Sequence, residues 1–334
     1  MILVTGGAGY VGSHNVIALM AAGYDVVIFD NLELGHIETV ETLKSIQEKG
    51  KVVDFIKGDL KNKIDIDNVF NKYKFDAVVH FAAYSQVAES MKNPQKYYEN
   101  NVNGTLNLLN SMIKNGVKRI VFSSTAATYG EPVYTPIDEN HPQNPINPYG
   151  ETKLQIEKYM DEFDKTEGLK SVRLRYFNVA GADSSFRIGE WHNPETHLIP
   201  NILKSTFRDG KTFQMFGDDY NTKDGTCVRD YINVEDLAEA HVLALKYLEN
   251  GGETNFFNLG TNSGSSVKEV FSECEDVTGR KIKVEMNPRR EGDPAVLVAD
   301  NSKAKKILGW IPKKTLQQSI FTAYEWEKII NERL

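Results

Sequence analysis

Short apolar runs alternating with amphipathic stretches pattern the first half of the chain. Ile2-Leu3-Val4-Thr5 is such a run and reads as a buried parallel strand. It stops at Gly6-Gly7-Ala8-Gly9-Tyr10-Val11-Gly12. Beyond it Val11, Val16, Ile17, Leu19 and Met20 form a helical pattern that ends at Gly23. Val26-Val27-Ile28-Phe29 then closes on Asp30. Further strands are predicted over 52–56, over 77–80, over 119–122 running into Ser123-Ser124-Thr125, and over 171–177. A long helix is predicted from about Pro94 to Lys114. This alternation predicts an α/β fold built on a doubly wound parallel sheet of the Rossmann type.

From about residue 179 the texture changes. Gly, Ser and Asp cluster at 181–185 and regular alternation fades, which predicts a boundary. Residues 1–178 then form one domain, and 179–334 a smaller α+β domain whose segment at about 228–260 returns to the sheet. Helices are predicted from Leu198 to Arg208 and from Asp236 to Leu248, and a strand at Phe256-Phe257-Asn258-Leu259. Ser266-Val267-Lys268-Glu269 is a capping box, and Leu316 to Ile330 is an amphipathic closing helix.

The glycine run carries chemistry as well as a turn. Gly6 permits the tight turn, Gly9 lets backbone approach a pyrophosphate, and Gly12 lets helix and strand lie close. Asp30 follows the last of these by 18 residues, where a ribose hydroxyl is read and a 2′-phosphate repelled. That combination predicts NAD rather than NADP. Asp59, at the end of the 52–56 strand, suits an adenine edge or a helix N-cap, and His80 reads as a structural histidine.

A second constellation sits at Asn147-Pro148-Tyr149-Gly150-Glu151-Thr152-Lys153. Asn147 is a good N-cap and Pro148 suits the first helical position. Tyr149 and Lys153 are then i and i+4 on one helical face. A cation about 4 Å from a phenol is worth roughly 4 kcal/mol at an effective dielectric near 20, enough to bring a tyrosine toward pH 7. A surface Tyr and Lys sharing a helix is the plain alternative. Thr125, at a strand's carboxyl end, can hydrogen-bond a substrate oxygen or cap a turn. Arg229, Arg289 and Arg290, with Asp293 nearby, suit phosphate and ribose oxygens or surface salt bridges.

Composition narrows the class. The 334 residues carry a net charge of −7 with no long basic run, which points away from nucleic acid. Cys227 and Cys274 stand far apart, implying a reducing compartment and offering no metal framework. Residues 1–24 hold no charged side chain, but five glycines and four polar residues argue against a signal peptide or membrane span. A cytoplasmic protein is expected.

The glycine run, His80-Phe81-Ala82-Ala83, Asn100-Asn101-Val102-Asn103-Gly104-Thr105 and the Tyr149/Lys153 pair together resemble the extended short-chain dehydrogenase/reductase superfamily. Arg175-Tyr176-Phe177-Asn178, Asp224–Tyr231 and Pro288–Asp293 are similar to its UDP-glucose 4-epimerase branch. The resemblance implies tightly held NAD, a UDP-sugar substrate and a homodimer joined through the Asn100–Lys114 and Tyr149 helices. It implies Tyr149 as the base for the sugar 4-hydroxyl, with Lys153 lowering its pKa and Thr125 beside it. NAD contacts fall by resemblance on Gly6, Gly9, Tyr10, Val11, Gly12, Asp30, Asn31, Asp59, Leu60, Phe81, Ala82, Ala83, Asn100, Ser123, Tyr149, Lys153 and Tyr176. Sugar-nucleotide contacts fall on Thr125, Tyr149, Asn178, His197, Leu198, Gln214, Phe216, Arg229, Arg290, Asp293 and Leu297, the last as a gate beside the sugar C2 substituent. His197 departs from a position that is often Asn. Ser85 departs from a Lys, and Leu34 and Gly35 from polar residues.

Four other readings compete. A 4,6-dehydratase needs an Asp-Glu pair after Thr125, where this chain has Ala126-Ala127. A UDP-N-acetylglucosamine 4-epimerase or bifunctional enzyme, a UDP-uronate epimerase or decarboxylase, and a non-enzymatic NAD sensor complete the set. The Tyr149/Lys153 pair argues against the sensor.

Overall fold

The computed structural model describes residues 1–207, 212–290 and 293–333. Its centre is a seven-stranded parallel sheet. In chain order the first six strands are β1 (Ile2–Thr5), β2 (Val26–Asp30), β3 (Val52–Lys57), β4 (Ala77–His80), β5 (Arg119–Thr125) and β6 (Lys170–Tyr176). The helices between them are α1 (Tyr10–Ala21), α2 (Ile37–Ser45), α3 (Lys63–Lys72), α4 (Val87–Lys92), α5 (Pro94–Tyr97), α6 (Gly104–Lys114) and α7 (Pro148–Glu167). The helix predicted over 94–114 is thus continuous in direction but carries a π-helical turn at Tyr98–Asn103. That wider turn holds Asn100 on the cleft, while Asn101 is buried and bonds both Tyr84 backbone groups.

Continuous apolar strands arise because both sheet faces are covered. Ile2 and Val4 face a core shared with Val16, Leu19 and Met20 of α1. Leu3, between them, faces Ile66 and Val69 of α3, Leu108 of α6 and Ile156 of α7. Strand order is β11-β6-β5-β4-β1-β2-β3, where β11 is Asn255–Leu259. The order reverses between β1 and β4, so a crevice opens outside their carboxyl ends.

The rest of the chain comprises β7 (Asn178–Ala180), α8 (Leu198–Phe207), β8 (Phe213–Phe216), β9 (Val228–Arg229), β10 (Tyr231–Asn233), α9 (Val234–Glu249), β12 (Ser265–Ser266), α10 (Val267–Thr278), β13 (Val284–Asn287), β14 (Val296–Leu297), α11 (Ser302–Leu308) and α12 (Leu316–Arg333). Helix α9 packs on α1, and β11 pairs with β6 in the main sheet. Helices α8, α10 and α12 surround a second core with Ile202, Leu203, Val270 and Ile320. Both halves of the capping box form: Glu269 N donates to Ser266 Oγ at 3.0 Å, and Ser266 N to Glu269 Oε2 at 2.9 Å. Arg208, the predicted end of α8, and Glu291 and Gly292 of the Pro288–Asp293 motif lie outside the described residues. Among the described residues no helix is long and apolar enough to cross a membrane.

Candidate active site

The crevice is a cleft of about 870 Å³. Its floor is the glycine loop. Gly6 has φ +73°, and a Cβ there would lie 2.6 Å from the Ala82 amide nitrogen. A Cβ on Gly12 would meet the Gly6 carbonyl oxygen at 2.1 Å, so only hydrogen fits. Gly9 caps the N-terminus of α1 with no side-chain partner for the first-turn N–H groups. Those donors, at the positive end of the helix, face the cleft and fit a pyrophosphate. Asp30 closes the far end: Ala8 N and Leu32 N reach its two oxygens at 3.1 and 2.8 Å. Burial raises its pKa, and those two amides oppose the rise. Asn31 donates to Asp59 at 3.3 Å, aligning two polar residues beside it. The cradle therefore fits a dinucleotide.

Behind the cradle stands α7. Asn147 Oδ1 accepts Gly150 N at 2.8 Å and Pro148 occupies the first turn, as the local sequence dictates. Tyr149 is buried, and the Thr125 side chain near its hydroxyl favours the ionised form. Lys153 is also buried and donates from Nζ to the Ser123 carbonyl at 2.7 Å. Its Nζ lies 5.9 Å from the Tyr149 ring centroid and 4.7 Å from that of Phe122. Lys153 is thus set on backbone as well as beside the phenol. Burial raises the Tyr149 pKa well above 10, the Tyr176 phenol adds to the rise, and the Thr125 side chain only partly opposes it. Lys153 is itself pulled down to about 7 by burial, with Glu157 resisting.

A buried network supports this wall. Glu157, one turn beyond Lys153, pairs with Arg175, with both side chains 3% exposed. Arg175 Nη1 donates to Tyr129 Oη at 2.9 Å, and Tyr129 donates to Asn258 at 2.6 Å. His80 sits between Thr5 and Thr105 hydroxyls at 2.6 and 2.8 Å, and burial lowers it to about 3. It is neutral and structural.

The opposite wall comes from the second half. Arg229 donates to the Pro294 carbonyl at 2.8 Å and reaches Asp293 at 3.3 Å. Arg290 lies 4.1 Å over the Phe216 ring. Arg229, Arg290, Asp293, Leu297, Asn178, His197 and Leu198 all line the cleft. Arg289 does not; it turns to Asp219 and the Tyr220 ring. Gln214 and Phe216 are also outside the lining. Gln214 donates to Glu285 at 2.8 Å across the β8–β13 pair, whereas Phe216 backs Arg290. Every other residue expected at the cofactor or sugar-nucleotide site lines the cleft. Ser85, Leu34 and Gly35 do as well, so the positions that depart from the family sit where contacts were expected.

Sequence reasoning missed Glu33, Gln86, His192 and Tyr231, which also line it. Tyr231 follows Arg229 by two residues, and His192 precedes His197 by five, so period and spacing held a signal for both. The Tyr10 hydroxyl donates to the Gly181 carbonyl at 2.6 Å and so ties the glycine loop to the second half.

Comparisons with known proteins bear on this geometry. The family described as GDP-mannose 4,6 dehydratase matches residues 3–322. The chain is 51% identical over 328 residues to UDP-glucose 4-epimerase from Halalkalibacterium halodurans, covering 98% of this chain and 95% of that one. A crystal structure of UDP-glucose 4-epimerase from Brucella ovis in complex with NAD superposes with a TM-score of 0.90 at 44% identity, covering 97% of both chains. The structure of the UDP-Glc/GlcNAc 4-epimerase from Campylobacter jejuni gives 0.85 at 42% identity, over 98% of this chain and 99% of that one.

Proposed function

The chain belongs to the UDP-glucose 4-epimerase family of extended short-chain dehydrogenases/reductases, and from that premise we propose that it interconverts UDP-galactose and UDP-glucose through a transient 4-keto sugar. One observation carries the reading: a dinucleotide cradle, a buried Tyr149–Thr125 pair and the Arg229/Arg290 wall share a single cleft. NAD is the cofactor; held by the glycine loop and Asp30, it would supply a reversible hydride acceptor for the sugar C4.

Tyr149 takes the proton from the 4-hydroxyl as hydride leaves, and gives it back when hydride returns. Thr125 holds the reacting oxygen in line with the phenol. Burial favours the neutral phenol, the form Tyr149 takes once it has accepted the proton. Lys153, on the Ser123 carbonyl, positions the cofactor side of α7 and supplies charge once protonated. Arg229 and Arg290 hold the diphosphate, Asp293 a ribose hydroxyl, and Leu297 flanks the sugar C2 substituent. Gln214 takes no part in this arrangement. Ala126 and Ala127 line the cleft where an elimination would need acids, which separates this chain from a dehydratase.

Residues 1–178 serve as the NAD-binding domain and 179–334 as the sugar-nucleotide domain, with α9 and β11 returned to the sheet. A cytoplasmic homodimer is the working state, joined through the outer faces of α6 and α7. Light scattering that gives a mass near 37.6 kDa would contradict the dimer. The deciding assay incubates the protein with UDP-galactose and no added reductant. UDP-glucose should form with no net NADH, and stoichiometric NADH release would sink the epimerase reading. UDP-N-acetylgalactosamine, run in parallel, tests the second reading that the resemblance to the C. jejuni enzyme supports.

A further inference from the structure

Eight residues of the second wall, 190–197, carry four side chains able to ligate a metal. One ring nitrogen each of His192 and His197 and one oxygen each of Glu190 and Glu195 all lie within 4.8 Å of one another. His192 Nδ1 is 3.1 Å from Glu190 Oε1 and 3.9 Å from Glu195 Oε1. His197 Nδ1 is 3.6 Å from Glu195 Oε1 and bonds Glu190 directly. Ligands about 2.0–2.2 Å from a tetrahedral Zn²⁺ stand roughly 3.3–3.6 Å apart. The separations of 3.1, 3.6 and 3.9 Å bracket that spacing.

Charge points the same way. Glu190 and Glu195 are each 5% exposed. Glu327, 3% exposed, lies one step behind, and its Oε2 has no hydrogen-bond partner among the described residues. Lys204 bridges Glu195 and Glu327 at 3.5 and 3.6 Å. The buried carboxylates of Glu190 and Glu195 face the two imidazoles, and a dication placed between the four ligand atoms would meet all of them at one point.

We propose that Glu190, His192, Glu195 and His197 hold one divalent cation of the zinc class, which pins the cleft wall leading into α8. Two nitrogens and two carboxylate oxygens suit Zn²⁺ or Co²⁺, whereas Mg²⁺ and Ca²⁺ require six or more oxygens. Supporting contacts for the ligands already exist. Glu195 Oε1 accepts the Thr196 and His197 amides at 2.8 and 2.9 Å, and Trp326 Nε1 donates to the Glu190 carbonyl at 2.9 Å. The pinned segment matters because His192, Thr196, His197 and Leu198 line the cleft, with the His192 ring edge-on to Tyr10 at 6.3 Å. With four protein ligands the cation holds structure and takes no step in the reaction. Two separated cysteines hid the site from a count of thiols; the spacing Glu-x-His-x-x-Glu-x-His is the readable signal.

The test uses untagged, full-length protein, stripped with chelator and titrated with Co²⁺. One equivalent per chain should bind, with the visible absorption of four-coordinate cobalt, and Zn²⁺ should displace it and raise Tm. Mg²⁺ or Ca²⁺ should do neither. Glu190→Gln and His192→Gln, made separately, should each weaken Co²⁺ binding by at least about tenfold, since supporting partners alone are worth about 10–100-fold. Absence of a cobalt band in folded wild type, an octahedral spectrum, or equal binding by wild type and a folded variant would each overturn the proposal. Should both variants unfold, the wild-type titration decides alone.

Discussion

The two walls of the cleft are held by different physics. On the sheet side, functional groups are fixed to backbone: Lys153 to the Ser123 carbonyl, Gly150 N to the Asn147 cap, Tyr84 to Asn101. Regular elements carry them and burial strips their charge. On the other side they project from loops and two- or three-residue strands, fixed mostly by charge pairing: Arg229 with Asp293, His197 with Glu190, Lys204 with Glu195. On the proposed function, the first wall does proton chemistry in a dry place and the second holds the diphosphate. Substitutions should therefore cut turnover on one side and raise KM on the other.

The largest expected effect is Tyr149→Phe. It removes the proton acceptor but leaves ring packing, so NAD content and Tm should stay near wild type while kcat falls about 10²-fold or more. Stopped turnover assays with bound-NAD quantitation make the check, and near-normal kcat would remove Tyr149 from the mechanism.

Lys153→Met should separate activity from stability. The folded pKa of Lys153 is about 7 against an ordinary 10.5, so between those pH values the unfolded chain binds a proton that the folded chain does not. Stability of the cofactor-free protein should thus rise with pH from about 7 toward 10.5, and below 7 the full cost of burying the charge is present. Removing the amine deletes that cost, worth on the order of a few kcal/mol. The variant should melt higher than wild type at pH 7, with the gap closing by pH 10, yet turn over more slowly. Equal melting at both pH values would show that the amine is not the strained group.

On the other wall, Arg229→Met should raise KM for UDP-galactose on the order of 10–100-fold with a smaller change in kcat, as loss of ground-state binding to a diphosphate implies. A matching fall in kcat with unchanged KM would place Arg229 with the proton machinery and erase the contrast between the walls.

Legibility in the sequence follows the same division. Strands β1, β2 and β4 were readable because each is an apolar run buried on both faces, and α7 because Asn147 and Pro148 announce its start. The π turn at Tyr98–Asn103 was not, since it is a local widening inside a helix with no cap or breaker to mark it. Helices α2 and α3 passed unread because each buries only two or three side chains. The burial of the pair was unreadable for a related reason: spacing placed Lys153 beside Tyr149, but only the fold reveals that both are desolvated. In the second half, Arg229 and Arg290 were found by residue type, while Arg289 takes the salt-bridge alternative, because one residue of offset along a loop reverses a side chain's direction.

The smallest expected effect concerns Leu297, where the walls meet. It lies in β14, paired in parallel with Arg229 of β9, and packs beside Ala126 and Phe177. It is thus both a strand residue and part of the cleft lining, so the two readings of Val296-Leu297 do not exclude each other. A leucine leaves more room for a C2 acetamide than a tyrosine would, but offers it no hydrogen bond. Apolar pockets discriminate by only about 1–3 kcal/mol per small group, roughly 10–200-fold. UDP-glucose and UDP-galactose should therefore be the main pair, with slower but measurable turnover of the N-acetyl sugars. Leu297→Tyr should widen the ratio of kcat/KM between the two sugar pairs by about tenfold, acting mostly on the N-acetyl substrate. Because the register with Arg229 is backbone-made, the substitution should leave UDP binding alone, which product inhibition by UDP measures independently. An unchanged sugar ratio with intact UDP inhibition would mean that the acetamide is met elsewhere in the cleft, and Leu297 would then count only as part of the strand.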